Sequence, residues 1–393
     1  MSNQEVSNAH RSDVMTTRNF HLGGARAIDG TGQSQPLSLP AHHFTTHSVI
    51  VGMTGSGKTG LAMALVEEAL RSKMPVLMID VKGDIPNLFY AFPSFAATEF
   101  ERHLDPDVVA RDGHTVAQAA SELAAQRADG LSRWRLTESD AGAFREGFAP
   151  ASDHAGHDRG RVAARAVVPR DPVAPVADRR RGRAGADGKT PAVILSVAHL
   201  DDEERAMVLG LLFEELLAWV RTLPGTTDLR AMIVFDEVFG FLPPHPANPP
   251  AKRPLIALMK QARAFGVGMV LATQNPMDLD YRALSNAGLW FVGRLQTDAD
   301  RERVVEGLAG LEGGEGVDAS DLGAKLKMLS PRWFVMRDMH RTPPAALDQT
   351  RWTFTWMRGP MTRAEIRKLR EPVAKRGSAL RASASDCSVP AAG

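Results

Sequence analysis

Ser48-Val49-Ile50-Val51 runs directly into Gly52-Met53-Thr54-Gly55-Ser56-Gly57-Lys58-Thr59, and the fold turns on how these twelve residues are read. The apolar run predicts a strand over 48–51 that is buried on both faces. The residues from Lys58 onward predict a helix over 58–71. Between them, glycines at 52, 55 and 57 allow backbone turns closed to other residues, so that successive N–H groups face one anion. The spacing fits the P-loop at every fixed position, with Lys58 as the cation for the outer phosphates of a nucleotide and Thr59 as a hydroxyl ligand to Mg²⁺. Gly52, Met53, Thr54, Gly55, Ser56, Gly57, Lys58, Thr59 and Gly60 are therefore the expected nucleotide contacts, and the helix start adds its dipole.

The same residues hold a rival reading. Gly55-Ser56-Gly57-Lys58-Thr59-Gly60 also satisfies G-x-G-x-x-G, and Asp80 ends the next apolar run (76–80) about where a ribose-binding acid would stand. Against a dinucleotide site, Gly57-Lys58-Thr59 has no role there, and a second acidic strand end lies far downstream. That end is Ala231-Met232-Ile233-Val234-Phe235-Asp236-Glu237. A P-loop ATPase needs such a strand, with Asp236 toward Mg²⁺ and Glu237 one residue on to orient and deprotonate the attacking water. A third strand, 268–273, ends at Gln274, whose amide can donate and accept and so contact phosphate and water together.

Outward from these motifs, apolar runs and helical patterns alternate as βαβ units do. Further strands are expected at 192–198, 289–293 and 333–336, and helices at 201–221, 254–265 and 279–287. The expected fold class is α/β, a P-loop core with a mainly parallel sheet. The expected organisation is an N-terminal segment 1–44, a first core part 45–98, a small helical insertion 99–148, a disordered Arg/Ala/Pro-rich linker 149–190, a second core part 191–369 and a disordered tail 370–393.

Composition bounds the function classes. With 44% hydrophobic and 24% charged residues, collagen, coiled coil and wholesale disorder are excluded. Forty-seven basic against 46 acidic side chains give a net charge of +1, so no global field announces a nucleic-acid partner, although a local basic groove is compatible with that balance. The only cysteine, Cys387, rules out disulfides within the chain and thiolate metal sites, and points to the cytoplasm. Neither a signal-peptide pattern in residues 1–18 nor a membrane-length apolar run occurs. His42, His43 and His47 lack a nearby carboxylate or cysteine to complete a metal site. Trp352, Phe354 and Trp356 alternate as one buried face of a short strand.

Taken together, Gly52 to Gly60, Ile79-Asp80-Val81-Lys82-Gly83-Asp84, Asp236-Glu237 with Phe241-Leu242-Pro243-Pro244, Gln261-Ala262-Arg263-Ala264-Phe265-Gly266 and Ala272-Thr273-Gln274-Asn275-Pro276 resemble the HerA and FtsK superfamily of P-loop ATPases. The likeness is greatest to HerA-type bacterial ATP-binding proteins and covers residues 45–95 and 192–361. It implies a RecA-like core, ATP and Mg²⁺ as cofactors, and a homo-oligomer, a hexameric ring, that moves double-stranded DNA, often beside a nuclease. An ATP-dependent switch or accessory subunit without motor activity is the alternative. The resemblance assigns Lys58 and Thr59 to ATP and Mg²⁺, Asp236 and Glu237 to metal and water, and Gln274 to sensing. It offers Arg263 and Arg294 as candidates for an arginine finger reaching a neighbouring subunit's γ-phosphate, and Asp80 and Lys82 either as supports of the metal site or as its coupling to the DNA loops. Residues 1–44 are too few for the N-terminal β-barrel of HerA proteins, so the chain reads as a shortened relative.

Overall fold

The computed structural model describes residues 18–154, 188–284, 287–309 and 319–370. One sheet of eleven strands organises them, in the order β2-β1-β11-β10-β9-β3-β8-β7-β4-β6-β5. Its centre is parallel: β3 (Ser48–Val51) lies between β8 (Phe265–Thr273) and β9 (Leu289–Val292), followed outward by β7 (Thr226–Asp236), β4 (Val76–Asp80), β6 (Thr190–Ser196) and β5 (Phe148–His154). Beyond β9 the pairing turns antiparallel through β10 (Trp333–Asp338), β11 (Ala345–Thr350), β1 (Asn19–Ala27) and β2 (Gln35–Pro40).

Alternate side chains of the central strands feed two cores, which is why their sequences are apolar without a break. Ile50, Met78, Val234, Val270 and Phe291 face the helix α1 (Lys58–Arg71) side. Val49, Val51, Ile79, Phe235 and Leu271 face the opposite core. Four more helices follow α1: α2 (Ala97–Glu101), α3 (Pro106–Arg111), α4 (Val116–Ser132) and α5 (Glu138–Gly147). The opposite core is closed by α6 (Asp202–Val220) and α7 (Lys252–Gln261), which present Leu209, Phe213, Leu216, Leu255 and Leu258. Asp201 starts α6 with a capping box, accepting from the Glu204 N–H while Glu204 reaches back.

The α/β class and the mainly parallel sheet hold, as do β3, α1 and β4 at the expected bounds. Three expectations are corrected. Residues 19–40, set outside the core by sequence, form two strands of the same sheet, because β1 pairs along β11. The stretch 149–190, read as a disordered linker, begins in β5 and ends in β6, which pair in parallel; 155–187 lie outside the described residues, as does the tail 371–393. Trp352, Phe354 and Trp356 sit in an extended segment after β11 with a single bridge, Thr355 to Ala91, and Phe354 and Trp356 are buried while Trp352 is half-buried. Among the described residues no helix is long and apolar enough to cross a membrane, and no cluster of His, Cys, Asp or Glu suits a metal ion on its own.

Candidate nucleotide site

Parallel strands release their loops at one edge, and at that edge β3, β8 and β7 stand side by side. Their ends bring together residues far apart in sequence: the loop after β3, Gln274 after β8, and Asp236 and Glu237 at the end of β7. The neighbouring β4 adds Asp80, which is in direct register with Asp236.

The loop has the backbone its glycines predict. Gly55 and Gly57 hold φ of 77° and 98°, in the left-handed region. Gly52 has no room for a side chain, since a Cβ there would stand 2.6 Å from the Ser56 hydroxyl and 3.3 Å from the Gly293 Cα. The loop is pinned by the Gly52 N–H to the Thr273 carbonyl (3.3 Å), the Met53 N–H to the Arg294 carbonyl (2.9 Å) and the Arg332 N–H to the Ser56 carbonyl (2.8 Å). α1 begins at Gly57 with no side-chain cap and no acidic residue in its first turn, which leaves its first amides and its dipole to an outside anion.

Lys58 is 6% exposed and its ammonium donates to the Met53 carbonyl at 3.0 Å. Burial holds its pKa down to about 8; Glu237 and Asp236 counter that pull and Lys82 adds to it. A buried cation resting on one neutral carbonyl is suited to a stronger anionic partner. Thr59 and Gly60 follow half-buried in the first turn of α1, and nothing lies within 4 Å of where a Gly60 Cβ would be.

Glu237 is the most constrained group of the site. Its backbone turns left-handed, φ 72°, a conformation that costs a non-glycine residue on the order of 1 kcal/mol. The turn aims the carboxylate back at β8, where Oε1 accepts from the Thr273 hydroxyl and the Gln274 N–H, both at 3.2 Å. The other oxygen, Oε2, takes a short ion pair from the Lys82 ammonium. Gln274 in turn accepts from the Thr54 hydroxyl at 2.6 Å, so this amide touches the phosphate loop.

Asp236 is 5% exposed, and burial raises its pKa to about 6, with Asp80, Glu237 and Asp84 adding and Lys82 opposing. Asp80 is fully buried and also raised, first by burial, while the Gly83 and Ile85 amides that it accepts pull the other way. Two buried carboxylates at adjacent strand ends, both disfavoured as anions, form a donor set suited to a hard divalent cation. With the uncapped helix start and the buried ammonium, these groups fit Mg²⁺ and the phosphates of a nucleotide.

The two arginines part company. Arg294 is exposed beside its own chain's loop, with Nε 3.4 Å from the Met53 sulfur. Arg263 is exposed before β8, at the end opposite Gln274; a nine-residue strand separates them, about 30 Å. It therefore does not join its own chain's site. Sequence reasoning placed Thr54 among the nucleotide contacts but not against Gln274, and it gave no role to Thr273 or Arg332, which no spacing marks. It placed Lys82 beside the metal site without its partner Glu237, which only the adjacency of β4 and β7 brings within reach.

Residues 23–114 match the family model of the helicase HerA central domain. The match contains the phosphate loop and β4 but ends before Asp236, Glu237 and Gln274, which stand on the geometry described above. No curated protein matches the sequence. Among solved structures, the genome packaging NTPase B204 of Sulfolobus turreted icosahedral virus 2 in complex with AMPPCP is similar at 11% identity and a TM-score of 0.39, over 77% of this chain and 97% of that one. VirB4 of Thermoanaerobacter pseudethanolicus is similar at 13% identity and a TM-score of 0.43, over 88% and 98%. EssC (ATPases 2 and 3) of Geobacillus thermodenitrificans is similar at 10% identity and a TM-score of 0.43, over 95% and 50%. By its motifs, its strand order and the family match, the chain carries a P-loop ATPase core resembling the HerA and FtsK class.

Proposed function

We propose that the chain is a Mg²⁺-dependent ATPase that works as a homo-oligomer, a hexameric ring, and uses hydrolysis to move double-stranded DNA. The observation that carries the hydrolytic part is the fixing of Glu237 by Thr273 and Gln274 at the end of the strand next to the phosphate loop. A carboxylate held in this way can take a proton from water lying between it and the outermost phosphate. Lys58 and the first amides of α1 hold the phosphates, and Gln274, tied to Thr54, registers the outermost one. Asp236 and Thr59, with Asp80 behind them, would hold Mg²⁺, which neutralises charge developing on the phosphoryl oxygens. Arg263, exposed at the end of β8 opposite the site, and Arg294, exposed beside its own chain's loop, are the two candidates for a finger that serves a neighbouring subunit.

The motor assignment leans on the resemblance to HerA proteins and on the family match, and its test is direct. Steady ATP hydrolysis stimulated severalfold by duplex DNA, together with a six-subunit mass in ATP and Mg²⁺, is the expected result. A monomer whose turnover ignores DNA would reject it. The Lys82–Glu237 ion pair favours a second reading, an ATP-dependent switch, because it engages one oxygen of the base. A chain that binds ATP, changes its assembly and turns over less than once per several minutes would support that reading.

A further inference from the structure

On the α1 side of the sheet, behind the phosphate loop, lies a cavity of about 820 Å³ lined among others by Arg133, Trp134, Arg135, Arg332, Gln349 and Trp352. Its volume is that of a small-molecule site. Two glycines shape its walls. A Cβ on Gly130 would stand 2.3 Å from the Trp352 ring, and one on Gly24 would meet Ser34 at 2.4 Å and the Trp134 ring at 3.3 Å. Both indoles are half-buried, Trp352 between Gly130 and Arg332 and Trp134 against Gly24.

The charges around this cavity are not balanced. Arg351 is spent on Glu67 (2.9 Å) and Glu68 (3.0 Å), and Arg71 on Glu68 (2.8 Å) and Asp140 (3.7 Å). Arg133 has an exposed partner in Asp129, one turn back on its own helix. Arg135 and Arg332 have no carboxylate within 4 Å among the described residues. Arg332 donates to the Thr350 carbonyl and stands over the Trp352 ring, 5.4 Å from its centroid. Burial first, and then the nearby Arg133, bring the Arg332 pKa down to about 10. A partly desolvated guanidinium with another cation as its charged neighbour has room for an anion of two or more oxygens.

An aromatic face beside guanidinium groups that have no carboxylate partner, in a half-open cavity, suits a base that carries a phosphate. We propose that this cavity binds a mononucleotide, separate from the one in the phosphate loop, with its base against Trp134 and its phosphate at Arg332 and Arg135. The amide of Gln349 lines the same space and can pair with a base edge. Arg332 also links the two sites. Its N–H holds the Ser56 carbonyl at 2.8 Å, and its Cα would stand 3.0 Å from a Cβ on Gly57. A ligand that moves Arg332 therefore acts on the backbone of the phosphate loop.

The test is equilibrium binding of AMP, which lacks the outer phosphates that Lys58 would hold, and of ATP with Mg²⁺, each to the full chain. The expected result is one AMP per chain, unchanged in Lys58→Met and weakened at least tenfold in both Arg332→Leu and Arg135→Glu. Arg135 is exposed, so its variant keeps the fold and guards against a loss that merely reports unfolding. ATP should bind at two sites in the wild type and at one in each of these three variants. Three results would overturn the proposal: no AMP binding, AMP binding lost in Lys58→Met, or binding of a short single-stranded oligonucleotide that depends on Arg332 and Arg135 while AMP does not bind. Failure of the phosphate-loop reading is distinguishable, since it would leave the AMP arm intact while ATP binding did not respond to Lys58.

Discussion

Replacing Lys58 by methionine should stabilise the nucleotide-free protein while removing nucleotide from the loop, a combination that ordinary core damage does not produce. The side chain is 6% exposed and its ammonium has one neutral acceptor, the Met53 carbonyl. A fall in pKa from 10.5 to about 8 corresponds to about 3 kcal/mol spent on holding the charge in the folded state. Folded and unfolded chains are both protonated below pH 8, so the whole cost is present at pH 7 and is relieved as pH rises from 8 through 10.5. Methionine fills the same space without the charge, and the gain expected at pH 7 is on the order of 1–3 kcal/mol. Urea unfolding without nucleotide measures it, and wild-type stability should climb from pH 8 to pH 10 while the variant's does not. ATP with Mg²⁺ should stabilise the wild type and leave the variant's curve in place. Lower stability of the variant at pH 7, or ATP affinity within threefold of wild type, would refute this account of Lys58.

Three further outcomes are expected. Glu237→Gln should keep ATP bound but slow turnover by about 100-fold or more, since the amide cannot take the proton, and rapid ADP release from that variant would remove Glu237 as the base. Lys82→Met frees Glu237 from its ion pair and should raise DNA-independent turnover severalfold, while a fall in single-turnover rate would instead make Lys82 part of the hydrolytic machinery. His47 is 1% exposed and neutral, accepting the Met269 N–H at Nδ1 and donating from Nε2 to the Met259 carbonyl; burial first, then Arg263, lowers its pKa to about 4. Its contribution is complete above 6.5 and is lost as pH falls through 4, about 3 kcal/mol in all. The slope of unfolding free energy between pH 4 and 6.5 should therefore flatten in His47→Asn, and an unchanged slope would reject that role.

What the sequence made legible was local. The P-loop strand, its helix and β4 were readable because an unbroken apolar run and a glycine-Lys-Thr turn leave few alternatives. The antiparallel end of the sheet was not. β1 carries Gly23 and Gly24 in its middle, and β11 includes the buried Asp348, so neither shows the apolar run that marks a strand; β11 and β2 order β1 by pairing on its two sides. At the parallel edge, β5 contains Pro150, Asp153 and His154 and is ordered by β6. In the site, the residue types at 58, 236, 237 and 274 were legible, but the means of holding Glu237 were not. Its left-handed backbone, the Thr273 hydroxyl and the Lys82 ammonium, 155 residues away, are products of strand order.

That strand order also sets a charge problem whose solution constrains the mechanism. Four carboxylates, Asp80, Asp84, Asp236 and Glu237, converge at the edge where two ammonium groups, Lys58 and Lys82, are available, and one of those is already committed to Glu237. A triphosphate entering this space adds negative charge to a region where Asp236 and Asp80 already resist ionisation. Binding of free ATP should therefore be weak, because Lys58 and the helix start alone face both the phosphates and the carboxylates behind them. Asp236 would hold a divalent cation whose charge would offset both repulsions, so ATP affinity should rise at least tenfold from EDTA to millimolar Mg²⁺. The rise should shrink in Asp236→Asn, which deletes one anion and one ligand together. If that variant bound ATP more tightly in Mg²⁺ than the wild type does, Asp236 would be a burden on the site and not its metal ligand.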